Sequence, residues 1–364
     1  MKNIIKNINE TDHNFVFSPI VVYHALGLLA KTVNGDSKKE ILDALNLKDE
    51  ELDEKIQLLN KNFNINASSN DKLMLNSSLW VNKRVQTNDD KLKELKEAFN
   101  FDINKVNMGT FSADQKIQRW VNKNTGGFLK DSASNIKTDK DSLFELFSAT
   151  YLKGRWVLEF NKKKTKKDIF HKTEKEDIKC DFMNNCMDDN LYIGKRFKAI
   201  ALNFYDVGAM IFILPNEGLA PSDITSDEDV LAILNGDTSD IVTNYYKINY
   251  SIPKFDITNN DDIKDKIRKL GIKKVFNMDE ADFTPISSEK DVFLNKTNQS
   301  SRIKIDEEGV EAASFVELSA LIGSIDLEML EEIDFILNRP FMFSVIKDKA
   351  PLFVGTITNP LLIR

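Results

Sequence analysis

The stretch Asp306–Gly323, DEEGVEAASFVELSALIG, fits two kinds of secondary structure, and the choice between them decides the fold. Its Glu, Ala and Leu content is that of an exposed amphipathic helix. Read with a period of two, however, residues 310–320 place only small or apolar side chains on one face, and both glutamates, Glu311 and Glu317, on the other. Gly309 just before them accepts backbone angles that other residues resist. The second pattern predicts a loop that is able to enter a sheet as a strand.

Composition narrows the class of protein. The chain has 364 residues, 41% of them hydrophobic and 29% charged, which is typical of a globular protein with a large core. Its formal net charge of −7 gives no general attraction to nucleic acids or anionic membranes. The basic run from Lys162 to Lys167 is interpreted as a solvated loop rather than a site for a polyanion. We therefore expect neither a nucleic acid nor a membrane as partner.

The two cysteines, Cys180 and Cys186, are too few for a disulfide framework and lack the neighbouring histidines of a zinc site. We expect free thiols, no metal site and no cofactor. The first residues, MKNIIKNINETDHNF, lack the apolar core of a signal peptide, and no apolar run reaches the length of about 18 residues that spans a membrane. The expected location is the cytoplasm, with release by another route left open.

The order of predicted elements indicates an α+β fold. A buried helix follows Ser18-Pro19, Ser37 is placed to cap a second helix that ends at Leu45, and Ile117, Trp120 and Val121 share one helix face. The strand-like runs lie mostly later in the chain, at 73–81, 200–214, 243–252, 303–305, 340–346 and 351–357. No repeat or flexible linker divides the sequence, so a single domain over residues 1–364 is expected.

The common signatures of enzymes are absent from the sequence. It has no G-x-S-x-G elbow, no phosphate-binding glycine loop and no H-E-x-x-H pair. Ser18 precedes a proline at a helix start and is interpreted as a cap, and His24 as a packed helix histidine. A hydrolase that uses Ser18 and His24 remains a remote alternative, and the chain is predicted not to be an enzyme.

Several motifs resemble those of the serpins, in the order in which that family has them. The run Glu307-Glu308-Gly309-Val310-Glu311-Ala312-Ala313-Ser314 resembles the hinge of the serpin reactive-centre loop. The others are Asn14–Pro19, Ile117–Val121 with Thr125 and Gly127, Leu152–Trp156, Leu214-Pro215, Ile252–Phe255, Leu270–Ile272, Ala281–Phe283, Arg339–Phe341, Pro351–Gly355 and Asn359-Pro360. Together they cover almost the whole chain.

This resemblance implies a serpin fold with three β-sheets, about eight or nine helices and an exposed reactive-centre loop at about 307–335. It implies a suicide inhibitor that traps a serine or cysteine endopeptidase as an acyl-enzyme while the cleaved loop enters the central sheet. The expected state is a monomer that is able to form loop–sheet polymers. The alternative is a non-inhibitory serpin that acts as a chaperone or binding protein, because Val310 and Phe315 depart from the usual hinge.

The resemblance also assigns roles to residues. Ser18, Val21, Ser148 and Gln299 occupy the positions of the polar cluster beneath the central sheet, called the shutter, although three of them depart from the usual residues. The reactive bond lies at Gly323-Ser324 when counted from the hinge, and at Met329-Leu330 when counted back from Arg339. The target-recognition candidates are Leu321, Ile322, Leu327 and Met329. None is basic, which favours chymotrypsin-, elastase- or cathepsin-like targets.

Overall fold

A computed structural model describes residues 1–66, 71–173, 175–310 and 330–361. Its α-helices are α1 (Lys2–Ile8), α2 (Pro19–Ala30), α3 (Gly35–Leu45), α4 (Leu52–Asn62), α5 (Asp89–Phe99), α6 (Phe111–Asn124), α7 (Lys130–Ala133), α8 (Pro221–Ile224), α9 (Glu228–Leu234) and α10 (Lys264–Lys269). Its first strands are β1 (Phe15–Phe17), β2 (Ile65–Asn66), β3 (Lys72–Asn82), β4 (Asp102–Val106), β5 (Phe144–Arg155), β6 (Lys166–Thr173), β7 (Glu176–Ile193) and β8 (Phe197–Asn203). The remaining strands are β9 (Ala209–Pro215), β10 (Val242–Pro253), β11 (Phe255–Asp262), β12 (Leu294–Asp306), β13 (Gly309–Val310), β14 (Glu332–Ile336), β15 (Phe341–Lys347) and β16 (Ala350–Ile357).

The central sheet has the strand order β11-β12-β13-β5-β3-β2, with β4 paired to β3. Most of its neighbouring strands are antiparallel, but β5 and β12 run parallel to each other. They pair directly where Phe144 to Ala149 meet Leu294 to Ser300. We call this parallel pairing the seam. Since β13 lies between the same two strands at their other end, the seam closes only part of their length.

The other strands form a second sheet with the order β1-β16-β15-β9-β8-β7-β10-β14, to which β6 adds at β7. Only two residue pairs, Tyr192 with Ala199 and Ile193 with Lys198, join β7 to β8. This narrow junction divides the sheet into two parts, which gives three sheets with the central one. The α+β fold with three sheets that was expected from the sequence is confirmed. In the described residues, two of the α-helices, α7 and α8, have only four residues each.

Helix α2 lies in the core because its sequence is apolar on all sides. Every residue from Pro19 to Ala30 is buried. Ser18 begins the helix, since its Oγ accepts a hydrogen bond from the Val21 backbone N–H at 3.4 Å. A second cluster lies between α6 and the central sheet, where Ile117, Trp120 and Val121 contact Phe147 of β5 and its neighbours. The predicted buried face of α6 is therefore confirmed.

Two local predictions were wrong. The strand-like run at 200–214 is a hairpin of β8 and β9, in which Asn203 pairs with Ala209. The chain reverses at Gly208, whose φ of +106° is a conformation that favours glycine. Ser37 does not cap α3, because the helix begins at Gly35 after Asn34. The Ser37 hydroxyl instead accepts the Asp282 backbone N–H at 3.1 Å.

Candidate functional site

The first part of the hinge predicted from the sequence lies in the central sheet, at the carboxyl ends of β5 and β12. Gly309 pairs with Arg155 of β5 and Asp306 of β12, and Val310 pairs with Gly154 and Ile305. Strand β13 is antiparallel to both neighbours. It is thus the first two residues of a strand that starts between β5 and β12.

Gly309 is required by the space around it. Its φ of +149° is one that side chains rarely adopt, and a Cβ atom there would lie 2.2 Å from the Gly154 carbonyl oxygen. Any larger residue would push β13 away from β5. The glycine therefore makes the close approach of the hinge to the sheet possible.

The two glutamates before Gly309 anchor the hinge to other parts of the fold. The Glu307 carboxylate accepts from Lys254 Nζ at 2.8 Å and from Thr165 Oγ1 at 2.7 Å. Burial works against the charged form of Glu307, but these two hydrogen bonds outweigh it and hold the pKa of the carboxyl below its usual value. Glu308 pairs with Lys162. One lysine of the basic run at 162–167 thus contacts the hinge.

Trp156 fixes the backbone on which the hinge turns. Its Nε1 donates to the Asp306 carbonyl at 2.9 Å, and its backbone N–H donates to the Glu308 carbonyl at 3.1 Å. The indole stacks on Phe204, with 4.5 Å between ring centroids. The turn that connects β12 to β13 is therefore held by a buried aromatic pair as well as by ion pairs.

The four predicted shutter residues lie together where the start of α2 meets the end of the seam nearest to β13. Ser148 and Gln299 are directly opposite each other on β5 and β12. Gln299 Nε2 donates to the Ser18 carbonyl at 2.9 Å, and Val21 contributes its backbone N–H to the Ser18 cap. All four are buried. The arrangement connects the start of α2 to the neighbouring strands β5 and β12.

His24 belongs to the same polar region, which the sequence interpretation missed. Its Nδ1 lies 3.2 Å from Ser77 Oγ, and its Nε2 lies 2.9 Å from Asn60 Oδ1. Ser77 pairs with Ser148 across β3 and β5, so the shutter extends to His24. Burial lowers the pKa of His24 to about 4, which keeps the ring neutral at physiological pH. With both nitrogens engaged elsewhere, His24 does not serve Ser18 as a base.

Buried polar atoms without a protein hydrogen-bond partner concentrate on β5 and β12. Among the described residues, six of the twelve such atoms lie on these two strands. They are both carboxylate oxygens of Glu145, Thr150 Oγ1, Arg155 Nε, Thr297 Oγ1 and Ser301 Oγ. An unpaired buried polar group costs about 1–3 kcal/mol. These polar groups of β5 and β12 are therefore in unfavourable surroundings in the closed sheet.

Much of the predicted loop lies outside the described residues. This applies to the hinge positions Glu311, Ala312, Ala313 and Ser314, to the bond positions Gly323, Ser324 and Met329, and to Leu321, Ile322 and Leu327. Leu330 is described and is 37% exposed. Two residues later β14 begins, parallel to β10, with Glu332 opposite Lys247. The segment therefore lies between β13 and β14.

Both cysteines are free thiols, as expected: Cys180 is buried and Cys186 exposed. Burial raises the pKa of Cys180 to about 11, so this thiol stays protonated. No group of three or more potential metal ligands occurs within residues 1–66, 71–173, 175–310 and 330–361. In the same ranges, no helix is both long and apolar enough to cross a membrane.

The serpin family model, described as serine protease inhibitor, matches residues 2–360. The chain belongs to the serpin family. The family is named for the inhibition of serine proteases.

This serpin is 28% identical over 369 residues to an alpha-1-antitrypsin-like protein of Tamias sibiricus, with 95% of this chain and 83% of the relative covered. Among solved structures, Arabidopsis AtSerpin1 in its native stressed conformation has a TM-score of 0.85 at 22% identity and covers 99% of this chain and 96% of its own. Human thyroxine-binding globulin, solved in complex with thyroxine, has a TM-score of 0.81 at 19% identity, with 96% of this chain and 92% of the globulin chain covered. At these identities the structures show the fold alone.

Proposed function

We propose that this serpin is a suicide inhibitor of endopeptidases, which takes its cleaved loop into the central sheet between β5 and β12. The observation that carries the proposal is β13, a strand of two residues already paired with both of these strands. Beyond β13, strands β5 and β12 pair directly with each other in the seam. A loop that is cut and free to move would extend β13 by parting β5 from β12.

The register of β13 supports this path for an extended strand. Val310 lies opposite Gly154 and Ile305, so residue 314 of a strand in the same register would lie opposite Thr150 and Ser301. These two residues carry buried hydroxyls without protein partners. Residue 314 is a serine in the sequence, and its hydroxyl suits both. Insertion would thus relieve part of the unfavourable arrangement in the closed sheet.

The free energy of insertion is large enough to damage a protease. About fifteen residues at about 3.3 Å each give a path of roughly 50 Å. At about 0.5–1.5 kcal/mol for each new ladder hydrogen bond, insertion would release on the order of 10 kcal/mol. A protease domain is held together by about 5–15 kcal/mol. The free energy of insertion would therefore be sufficient to deform a trapped protease.

The target class follows from the sequence of the loop. The anchor residues Leu321, Ile322, Leu327 and Met329 are apolar, which suits proteases with hydrophobic primary pockets. We propose serine endopeptidases of the chymotrypsin, elastase or cathepsin G type, with papain-like cysteine endopeptidases as a further class. Both positions of the reactive bond, Gly323-Ser324 and Met329-Leu330, stay in the proposal.

The test is incubation of the full chain with chymotrypsin, elastase, cathepsin G and papain. Denaturing gels would show a covalent complex that resists SDS, and mass spectrometry would identify the released C-terminal peptide. A peptide that starts at Ser324 would select the first position, and one that starts at Leu330 the second. Clean cleavage by all four proteases without a complex would contradict the inhibitor proposal.

The second candidate is a binding protein whose loop does not insert productively. Two observations favour it: the hinge has Val310 and Phe315 at positions where the family usually has smaller or polar residues, and the fold resembles that of thyroxine-binding globulin, which binds a hormone. The same experiment separates the two candidates, because a binding protein would be cut as an ordinary substrate.

A further inference from the structure

Glu145 is an ionisable residue at the lower end of the seam. It lies on β5 between Trp80 of β3 and Lys296 of β12, each directly opposite. The residue is 0% exposed. A carboxyl group in such a place is costly when charged unless it is paired. Its position on the seam makes its surroundings dependent on whether β5 and β12 are together.

The Glu145 carboxyl is buried, and hydrogen bonds do not offset the loss of its contact with water. Neither of its oxygens has a hydrogen-bond partner by distance and angle within the described residues. The Ser142 hydroxyl and the backbone of Asp139, both in the segment that leads into β5, act in favour of its charged form. Lys296 of β12 and Asp262 of β11 are the charged groups that face it, with opposite effects on its charge. The cross-strand neighbour on β3, Trp80, is uncharged.

Glu145 also lies on the α6 side of the sheet. Alternate residues of β5 point to opposite faces, and Phe147 and Ala149 pack in the cluster beneath α6. Glu145 shares their face. Separation of β5 from β12 would draw Lys296 away by one strand spacing, about 4.8 Å, which alone disfavours the charge, but it would also admit water beside the carboxyl. Because burial outweighs the Lys296 charge in the closed seam, the closed seam favours the neutral acid, and hydration in the open one favours the carboxylate.

We propose that Glu145 makes the opening of the seam depend on pH, with the protonated side chain favouring the closed sheet and the ionised one favouring separation. This inference deepens the proposed function, because the seam must open for the loop to enter. Burial is the main reason that the pKa of Glu145 lies above its ordinary value, and the charge of Lys296 and the Ser142 hydroxyl only partly oppose it.

The sign of the effect follows from this direction. At a pH below the ordinary carboxyl pKa, Glu145 is protonated in both the closed and the open state, so it does not shift the equilibrium between them. Above that value the open state releases its proton first, so the closed state loses relative stability until its own pKa is passed. The loss is on the order of tenfold in the closed–open equilibrium for each pH unit of this window.

Hydrogen–deuterium exchange of the full chain tests the proposal without any protease, so its result stands even if no inhibited protease is found. Uptake is measured for peptides that cover 144–149 and 294–300 at pH 5 and pH 8, with correction for the intrinsic exchange rate. Peptides from β9 and β15 serve as internal references. Glu145→Gln keeps the shape and removes the titration, and Glu97→Gln removes an exposed carboxylate on α5 as the matched control.

In the wild type and in Glu97→Gln, we expect protection of the seam to be lower at pH 8 than at pH 5, by about tenfold or more, while β9 and β15 keep theirs. In Glu145→Gln, protection should be the same at both pH values. Glu145→Met, an apolar residue of similar length, should behave as Glu145→Gln does. Equal pH dependence in the wild type and Glu145→Gln would overturn the proposal. So would failure of both neutral variants to fold, because they are expected to be at least as stable as the wild type.

Discussion

Lys254 Nζ lies 2.8 Å from a carboxylate oxygen of Glu307, and this contact ties the end of β10 to the turn that starts the hinge. Glu307 is 5% exposed, while the Lys254 side chain is 36% exposed. The glutamate therefore depends on its partners more than the lysine does. Loss of the lysine would leave a mostly buried carboxylate with Thr165 as its remaining side-chain donor.

Lys254→Met should destabilise the native state by about 1–3 kcal/mol, because it leaves the Glu307 charge buried and poorly paired while keeping the aliphatic stem. The thermal midpoint should fall by roughly 2–6 °C. Lys247→Met is the matched control, since it breaks an ion pair with Glu332 in which both side chains are about half exposed. An equal fall of the thermal midpoint in both variants would show that the buried Lys254–Glu307 contact stabilises the protein no more than the exposed Lys247–Glu332 pair.

The hinge contact should also weaken in acid. Because the pKa of Glu307 is lowered in the folded protein, its contribution is present above the ordinary carboxyl value and is lost as pH falls through the lowered one. Hydrogen exchange of peptides around 305–310 should therefore rise below about pH 4.5 and stay flat in Glu307→Gln. Glu332→Gln, which removes another carboxyl with a lowered pKa, should leave this rise unchanged. The direction is opposite to that expected for Glu145.

Gly309→Ala should prevent β13 from forming. Its Cβ would meet the Gly154 carbonyl at 2.2 Å, and backbone in such a conformation costs about 1–3 kcal/mol for a side chain. Gly218→Ala carries a similar backbone penalty, with φ at +78°, but no atom lies within 4 Å of the added Cβ. Loss of amide protection at 309–310 only in Gly309→Ala would identify the close approach as the cause. Retained protection there would count against the described hinge.

The sequence predicted those parts of the site that depend on local chemistry. Ser18 before Pro19 caps α2 as predicted, and Gly309 after two glutamates lies where β13 begins, while its role as a hinge stays a prediction. Strand β7 was missed, because its residues from Glu176 to Ile193 are mostly polar and lack a regular alternation. Its order comes from pairing with β6 and β10. Tertiary pairing of this kind leaves little trace in a single sequence.

The extension of the shutter to His24 had a weak signal in the sequence, since His24 follows Ser18 by less than two helical turns. Its partners Asn60 and Ser77 are distant in the chain, so only the fold brings them together. The unpaired atoms of Glu145, Thr150 and Ser301 were likewise invisible, because burial and pairing decide whether a polar residue is satisfied.

The alternation of the loop sequence gives a matched pair of variants. In the predicted pattern, Ala312 shares the face of Val310 and Ala313 has the opposite one, on which Glu311 and Glu317 lie. An arginine forced toward the core would cost several kcal/mol. Ala312→Arg should therefore turn the inhibitor into a substrate, while Ala313→Arg should still form covalent complexes on a denaturing gel. The same outcome in both variants would contradict the predicted strand.

The thermal midpoint of the chain before and after cleavage of its loop tests the central claim most directly. The loop is cut by limited digestion with a protease that forms no covalent complex with the chain, and the cleaved protein is kept with its C-terminal fragment bound. If β5 and β12 separate and accept the loop, the free energy gained, on the order of 10 kcal/mol, should raise the midpoint by roughly 20 °C or more. The same digestion of Ala312→Arg should give no such rise. An unchanged or lower midpoint in the cleaved wild-type protein would contradict insertion.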